Sequence, residues 1–361
     1  MGERRPLVVA LGACGLDTIY RVPSSWQEGD ASQKLLPTEC VVVGEGMASS
    51  AAATVARLGG RAEIWGRVGD DGAGAQFSAD MESSGVSTQH LRRVGGARTT
   101  ISTILVSPDG ERLVVPYCTR SSSLCVLPSL KRRGCADDPE MEAAADWLPL
   151  GSLAGRCSCV HADVRWPEGA AVLLTAARVA GIPAVLDADT APAEALQRLV
   201  PLADYAIFSE PGLAIYIGHD GPMDAGSVDA ALQRVAAESS GSSAGCAGVT
   251  LGEKGWRWVE WAEGDSSPRG HGPVQSSPSP EVTVVDTLAA GDVFHGSFAL
   301  CIAEGGWTVR SAGLWAAAAS ALKCQRFGGR TGCPTREELE AFLATWEPWQ
   351  AQQKAERGAR L

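Results

Sequence analysis

The stretch DTLAAGDVFHG, residues 286–296, follows the apolar run VTVV (282–285) and leads into the apolar segment FALCIA (298–303). A strand ending at Asp286 and a helix starting near Ala290 would leave the N–H groups of residues 289–292 without intrahelical acceptors. Such a terminus attracts phosphate, and small residues let the phosphate approach. Asp292, in the first helical turn, would then face the reacting phosphoryl group. The plainer reading makes Asp286 or Thr287 an N-cap and Asp292 an acid that complements the helix dipole. These residues alone leave the two readings balanced, and the surrounding chain decides.

With 361 residues, 45% of them hydrophobic, the chain can bury one large α/β core or two modest ones. A net charge of −11 provides no basic field for a polyanion, so nucleic acid is not an expected partner. The eleven cysteines are an odd number with no CxxC pair, and Cys14, Cys246, Cys301 and Cys324 lie in apolar stretches, where free thiols pack as small hydrophobes. A reducing, cytoplasmic setting is expected. Gly12, Gly15 and Asp17 interrupt the first apolar run, which reads as a strand rather than a signal peptide, and Pro6 excludes a myristoylation motif. No apolar run reaches the roughly 18 residues of a membrane span.

Short β-like runs alternate with helical ones: PLVVALGA, MASSAAATVARLGG, AEIWGRVG, GAGAQFSADMESSG, CSCVHADV, GAAVLLTAARVAG, IPAVLDAD, YAIFSE, AALQRVAAESS, CAGVT. Strands separated by helices of this length predict an α/β fold, a doubly wound, mostly parallel sheet with helices on both faces. Residues 32–43 and 97–117 carry no helix, and the second stretch reads as a hairpin turning at Pro108-Asp109-Gly110. They predict a small antiparallel lid drawn from about 17–45 and 97–117, through which two copies can pair as a homodimer. Residues 118–155 read as an irregular insertion with a short helix near 139–147, and 262–280 as a polar Ser/Pro/Gly loop. The main domain spans 1–335, and 336–361 form a capped helix and tail.

Two further stretches place the opening motif. GVTLGEKG (248–255) is a second glycine-bearing strand-turn before it, and the helix AAAASALKCQRFGGRTG (316–332) follows. Asp286-Thr287-x-Ala289-Ala290-Gly291-Asp292 resembles the DTxGAGD signature of the pfkB, or ribokinase-like, family of carbohydrate kinases, and Gly44-Glu45-Gly46 with Ala56-Arg57-Leu58-Gly59 resembles a second family feature. The resemblance runs from about residue 7 to 335, the insertion apart. Within the family, GRVGDDGAG (66–74), ADVRWPEGA (162–170), FSEPGLA (208–214), AAGDVFHGSFAL (289–300) and ALKCQRFGGRTGCP (321–334) are most similar to sulfofructose kinases, and more distantly to ketohexokinases.

The resemblance implies ATP and Mg²⁺ as cofactors and gives roles to single residues. Asp292 matches the general base that takes the proton of a sugar hydroxyl, and Ala290 and Gly291 match the anion hole for the transferred phosphoryl group. Ala289 departs from the usual glycine, and a positive φ there would strain it by about 1 kcal/mol. Thr250, Gly252 and Thr287 match nucleotide contacts, where the bare residues would suggest a plain hairpin turn and a cap. Glu210 matches a water-mediated Mg²⁺ ligand, although the Asn-x-x-Glu pattern is missing; a helix N-terminal acid is the other reading.

On the acceptor side Asp17 matches the acid that pairs sugar hydroxyls, Gly46 a close backbone approach, and Ser50 a position often held by Asn. Lys34 and Arg165 match two contacts to an anionic group; each alone reads as a solvated surface charge. Pro116 stands where the compared enzymes have Asn, which removes an amide and a backbone donor. His295, three residues past Asp292 and near the same face, reads as packing or as a support behind the site residues. The expected activity is phosphorylation of a primary hydroxyl of a ketose or anionic ketose. A nucleoside kinase of the same fold, or a catalytically silent scaffold subunit motivated by Ala289 and Pro116, are the alternatives.

Overall fold

Leu7 to Gly12, LVVALG, is buried at every position, as a strand covered on both faces must be, and this strand sits mid-sheet. The computed structural model describes residues 5–23, 34–117, 145–238, 244–261 and 273–359. In chain order the first half contains β1 (Leu7–Gly12), β2 (Gly15–Arg21), β3 (Glu39–Glu45), α1 (Met47–Arg57), β4 (Arg61–Gly69), α2 (Gly72–Ser83), β5 (Val86–Ser87), β6 (Leu91–Val94), β7 (Thr100–Val106) and β8 (Arg112–Tyr117). The second half contains β9 (Cys159–Asp163), α3 (Pro167–Ala180), β10 (Ala184–Ala188), α4 (Ala193–Leu199), β11 (Tyr205–Ser209), α5 (Glu210–Ile217), α6 (Ala225–Glu238), β12 (Gly245–Thr250), β13 (Trp256–Trp261) and β14 (Gln275–Ser277). It closes with α7 (Ala290–Glu304), α8 (Val309–Cys324), α9 (Arg336–Leu343) and α10 (Glu347–Ala359).

The main sheet runs β14-β13-β12-β11-β10-β9-β1-β4-β5, and β6 pairs with β4 beyond β5. It is parallel from β12 to β5, and β13 and β14 add an antiparallel edge. One apolar cluster lies under α3 to α6, through Leu173, Leu196, Leu213 and Leu232; another lies under α1, α7 and α8, through Val55, Phe298 and Ala316. The fold is thus the doubly wound one that the βα rhythm predicts.

The lid is a separate sheet in the order β3-β2-β7-β8, with antiparallel outer pairings and a parallel β2–β7 pairing at its centre. Strand alternation sorts its residues. Ile19, Val43, Ile104 and Val106 are buried beneath it with Leu288 and Phe327 against them, while Val42, Leu113 and Val115 face outward. Pro116 is tolerated because β8 is an edge strand.

Four expectations need correction. VTVV is not a strand: the N–H groups of Val285 and Asp286 go to Cys324 O, 2.8 and 3.1 Å away, so the run crosses the end of α8 instead of joining the sheet. The lid strand expected at 32–43 is β3, shifted to 39–45, with Leu35 and Leu36 exposed outside it. Within the loop 262–280, Gln275–Ser277 pair with β13. The C-terminal helix is two helices, because Pro348 belongs to a first turn and starts α10 afresh. The insertion up to residue 144, most of its expected helix, and residues 262–272 lie outside the described residues. Ala145–Trp147 form a 3₁₀ turn whose Trp147 stacks on Trp166. Among the described residues no helix is long and apolar enough to cross a membrane, and the eight described cysteines are free.

Candidate active site

Strands β1, β9, β10, β11 and β12 deliver their carboxyl ends to one cleft of about 740 Å³, where ligands of open α/β sheets bind. Asp17, Ser102, Arg112, Val114 and Pro116 of the lid's inner face line it together with the loop into α7.

The start of α7 has no side-chain cap, which removes the plainer reading of Asp286 and Thr287. Asp286 is buried and serves the loop itself: Oδ1 accepts Leu288 N–H at 2.8 Å, and Oδ2 accepts Gly328 and Gly329 N–H at 3.0 and 3.1 Å. Ala289 precedes the helix in the left-handed region, at φ 60° and ψ 11°. The N–H of Ala290 turns back to Thr287 O at 3.2 Å, which leaves Gly291 and Asp292, among the described residues, without a backbone acceptor for theirs. The expected pair of anion-hole donors is therefore reduced to Gly291 with its successor. Burial lifts the Asp292 carboxyl well above the usual carboxylate range, and the charges of Asp187, Glu45, Asp189 and Asp163 push it further. His295, one turn on, braces this turn with a ring nitrogen 2.8 Å from Gly291 O.

Thr287 accepts Arg112 Nη1 at 2.8 Å and donates to Gly110 O at 3.2 Å, so it docks the lid's hairpin tip beside the helix start. Thr250 Oγ1 donates to Phe208 O, and Gly252 follows at φ 59°, both lining the cleft. Asp17, on the lid strand β2, lines the same cleft. Burial raises its carboxyl from 3.8 to about 7, with Glu45 adding to the rise and Ser102 opposing it. Gly46 lines the cleft at φ 125°, where a Cβ would stand 2.4 Å from Ala13 O; its glycine makes room for backbone as well as for any ligand.

Three expected residues stand elsewhere. Ser50 is wholly buried and donates to Glu45, so it acts behind the cleft wall. Lys34 is exposed and outside the lining. Glu210 opens α5 and lines a separate depression of about 510 Å³ with Lys254. Arg165 does line the cleft, but its guanidinium is engaged by Asp189 Oδ2 at 2.7 Å and Thr190 O at 2.6 Å. Lys34 and Arg165 are thus not brought together. Sequence reasoning missed Arg112, Glu45, Asp187 and Asp189. The last two were signalled by DAD at the end of a strand, the usual place for ligand-facing acids in this architecture. Among the described residues no group of three or more His, Cys, Asp or Glu is placed to hold a metal ion.

The profile of the pfkB family carbohydrate kinases matches residues 5–336. A fructokinase from Vibrio alginolyticus is 28% identical over 88% of this chain and 98% of its own length. A solved structure assigned as a ribokinase, from Agrobacterium tumefaciens, is 38% identical with a TM-score of 0.76, covering 95% of this chain and 99% of that one. The ribokinase of Arabidopsis thaliana, solved with ribose and ATP, shares the fold at 19% identity and a TM-score of 0.67, over 93% and 98% of the two chains. The chain belongs to the pfkB family of carbohydrate kinases, enzymes that transfer a phosphoryl group to an alcohol.

Proposed function

We propose that this enzyme transfers the γ-phosphoryl group of ATP to a primary hydroxyl of a neutral ketose. The observation that carries this reading is that the helix start at Gly291–Asp292 and the acid Asp17 line one cleft. Asp292 takes the hydroxyl proton, the Gly291 N–H and the positive end of α7 receive the charge of the phosphoryl group, and Asp17 orients sugar hydroxyls. Thr250 and Gly252 hold the nucleotide. Magnesium keeps several waters and uses one or two carboxylates plus substrate phosphates, a demand that the cleft acids Asp187 and Asp189 fit better than Glu210 does.

A neutral acceptor is favoured over an anionic one because Lys34 lies outside the lining, Asp189 already answers Arg165, and Asp17 and Glu45 surround the acceptor end with acid. The fructokinase likeness points the same way. A coupled ADP-release assay over neutral, phosphorylated and sulfonated sugars tests it: fructose should lead in kcat/KM, and a lead for a sulfonated or phosphorylated ketose would overturn the neutral assignment.

A further inference from the structure

Lys323 near the end of α8 has no solvent exposure, and neither has its partner Asp286. Its Nζ lies 2.7 Å from Asp286 O and 3.2 Å from Asp286 Oδ2. A wholly buried ion pair is a poor source of stability compared with apolar residues of equal volume, so its place in the fold asks for another account.

That place is the loop before the anion hole. Asp286 carries three N–H groups on its carboxylate, from Leu288, Gly328 and Gly329, and Cys324 O takes the N–H groups of Val285 and Asp286. With Nζ on its carbonyl, the peptide after Asp286 is pinned, and the Thr287 N–H points the opposite way. Immediately downstream comes Ala289, among the described residues the one non-glycine at positive φ. Such strain persists only where the surroundings over-determine it. Gly291 and Asp292 follow directly.

We propose that Lys323 is a positioning residue for phosphoryl transfer: its buried ammonium balances Asp286 and holds residues 285–289 in the one arrangement that aims the Gly291 N–H at the transferred group. The proposal rests on the reading of Gly291 and Asp292 as the phosphoryl-transfer site. Lys323 is not part of the cleft lining, so its effect belongs to kcat and not to either KM.

Lys323→Met keeps the volume and removes the charge. A folded variant should lose about a hundredfold in kcat, the size of loss that a misplacement near 1 Å causes, with both KM values unchanged. In Lys323→Ala, methylammonium should restore part of the turnover while leaving wild type unmoved. A folded Lys323→Met with wild-type kcat overturns the proposal, as does a Lys323→Ala whose thermal melt recovers in methylammonium but whose turnover does not. Should Lys323→Met fail to fold, the neutral pair D286N/K323M leaves no buried charge unmatched, and wild-type kcat in that variant is equally fatal. Asp292→Asn measured alongside separates the two levels: full activity there overturns the site reading, whereas an inactive Asp292→Asn beside an active Lys323→Met overturns the role of Lys323 alone.

Discussion

Ala289 stands where a Cβ crowds the backbone, and glycine does not. Ala289→Gly should therefore stabilise the protein by about 1 kcal/mol in denaturant titrations, offset in part by the freer unfolded chain. On the proposed reading Asp292 is the base. Asp292→Asn should lower kcat by a factor of about 10²–10⁴ while calorimetry shows ATP binding retained. Because the Asp292 carboxyl is raised, wild-type kcat/KM should climb with pH as the base ionises; a profile flat from about pH 5 to about pH 9 would remove the assignment. Asp17 couples to stability. Its folded value of about 7 exceeds 3.8, so the folded protein holds a proton that the unfolded chain releases. The contribution is complete below 3.8 and is lost as pH rises through 7, so the ligand-free melting temperature should fall over that window. Asp17→Asn should flatten that fall, and an unchanged slope would assign it to other groups.

The lid touches the loop into α7 at its hairpin tip, where Arg112 and Gly110 meet Thr287, and beneath its strands, where Leu288 packs against the Ile19 cluster. No carboxylate pairs with Arg112 among the described residues, so the arginine brings positive charge into the cleft, where the proposed ATP phosphates would meet it. Arg112→Ala should lower kcat/KM by about tenfold, the range of a single charge-assisted hydrogen bond, with Arg112→Lys recovering less than half because it lacks the fork. Wild-type kinetics in Arg112→Ala would leave the contact a packing detail. The turn after α8 joins the lid to the same loop: Gly328 and Gly329 bind Asp286, while Arg330 N–H donates to Glu45 Oε1 at 2.8 Å at the end of β3. Elements with strict periodicity, such as β1 and α1, were legible in the sequence. The run VTVV was not, since its backbone is held by Cys324 and its side chains lie beside the lid tip at Gly110, with Val284 left exposed, and no neighbouring strand pairs with it among the described residues.

At the scale of the whole molecule, the lid's outer face is unfinished. Val42, Ile101, Leu113, Val115 and Tyr117 are each more than a third exposed, on a sheet whose outer strands β3 and β8 pair with no further strand among the described residues. A second lid is the complement that such a face calls for. Light scattering should show a dimer, and Val115→Glu should dissociate it; a monomer at high concentration would remove this assembly.

The amino-acid sequence by itself determined the βα alternation, the all-buried central strands and the acid-small-small-glycine-acid turn, because these depend on local periodicity and on residues adjacent in the chain. It also marked Ala289 as a position under strain, conditional on its φ. Tertiary structure decided the rest. Arg112 reaches Thr287 across 175 residues and Arg330 reaches Glu45 across 285, contacts that no local pattern encodes. Burial, a property of the packed chain, turned Ser50 inward, left Lys34 in solvent, and enclosed Lys323 with Asp286 under the loop that the opening motif only names.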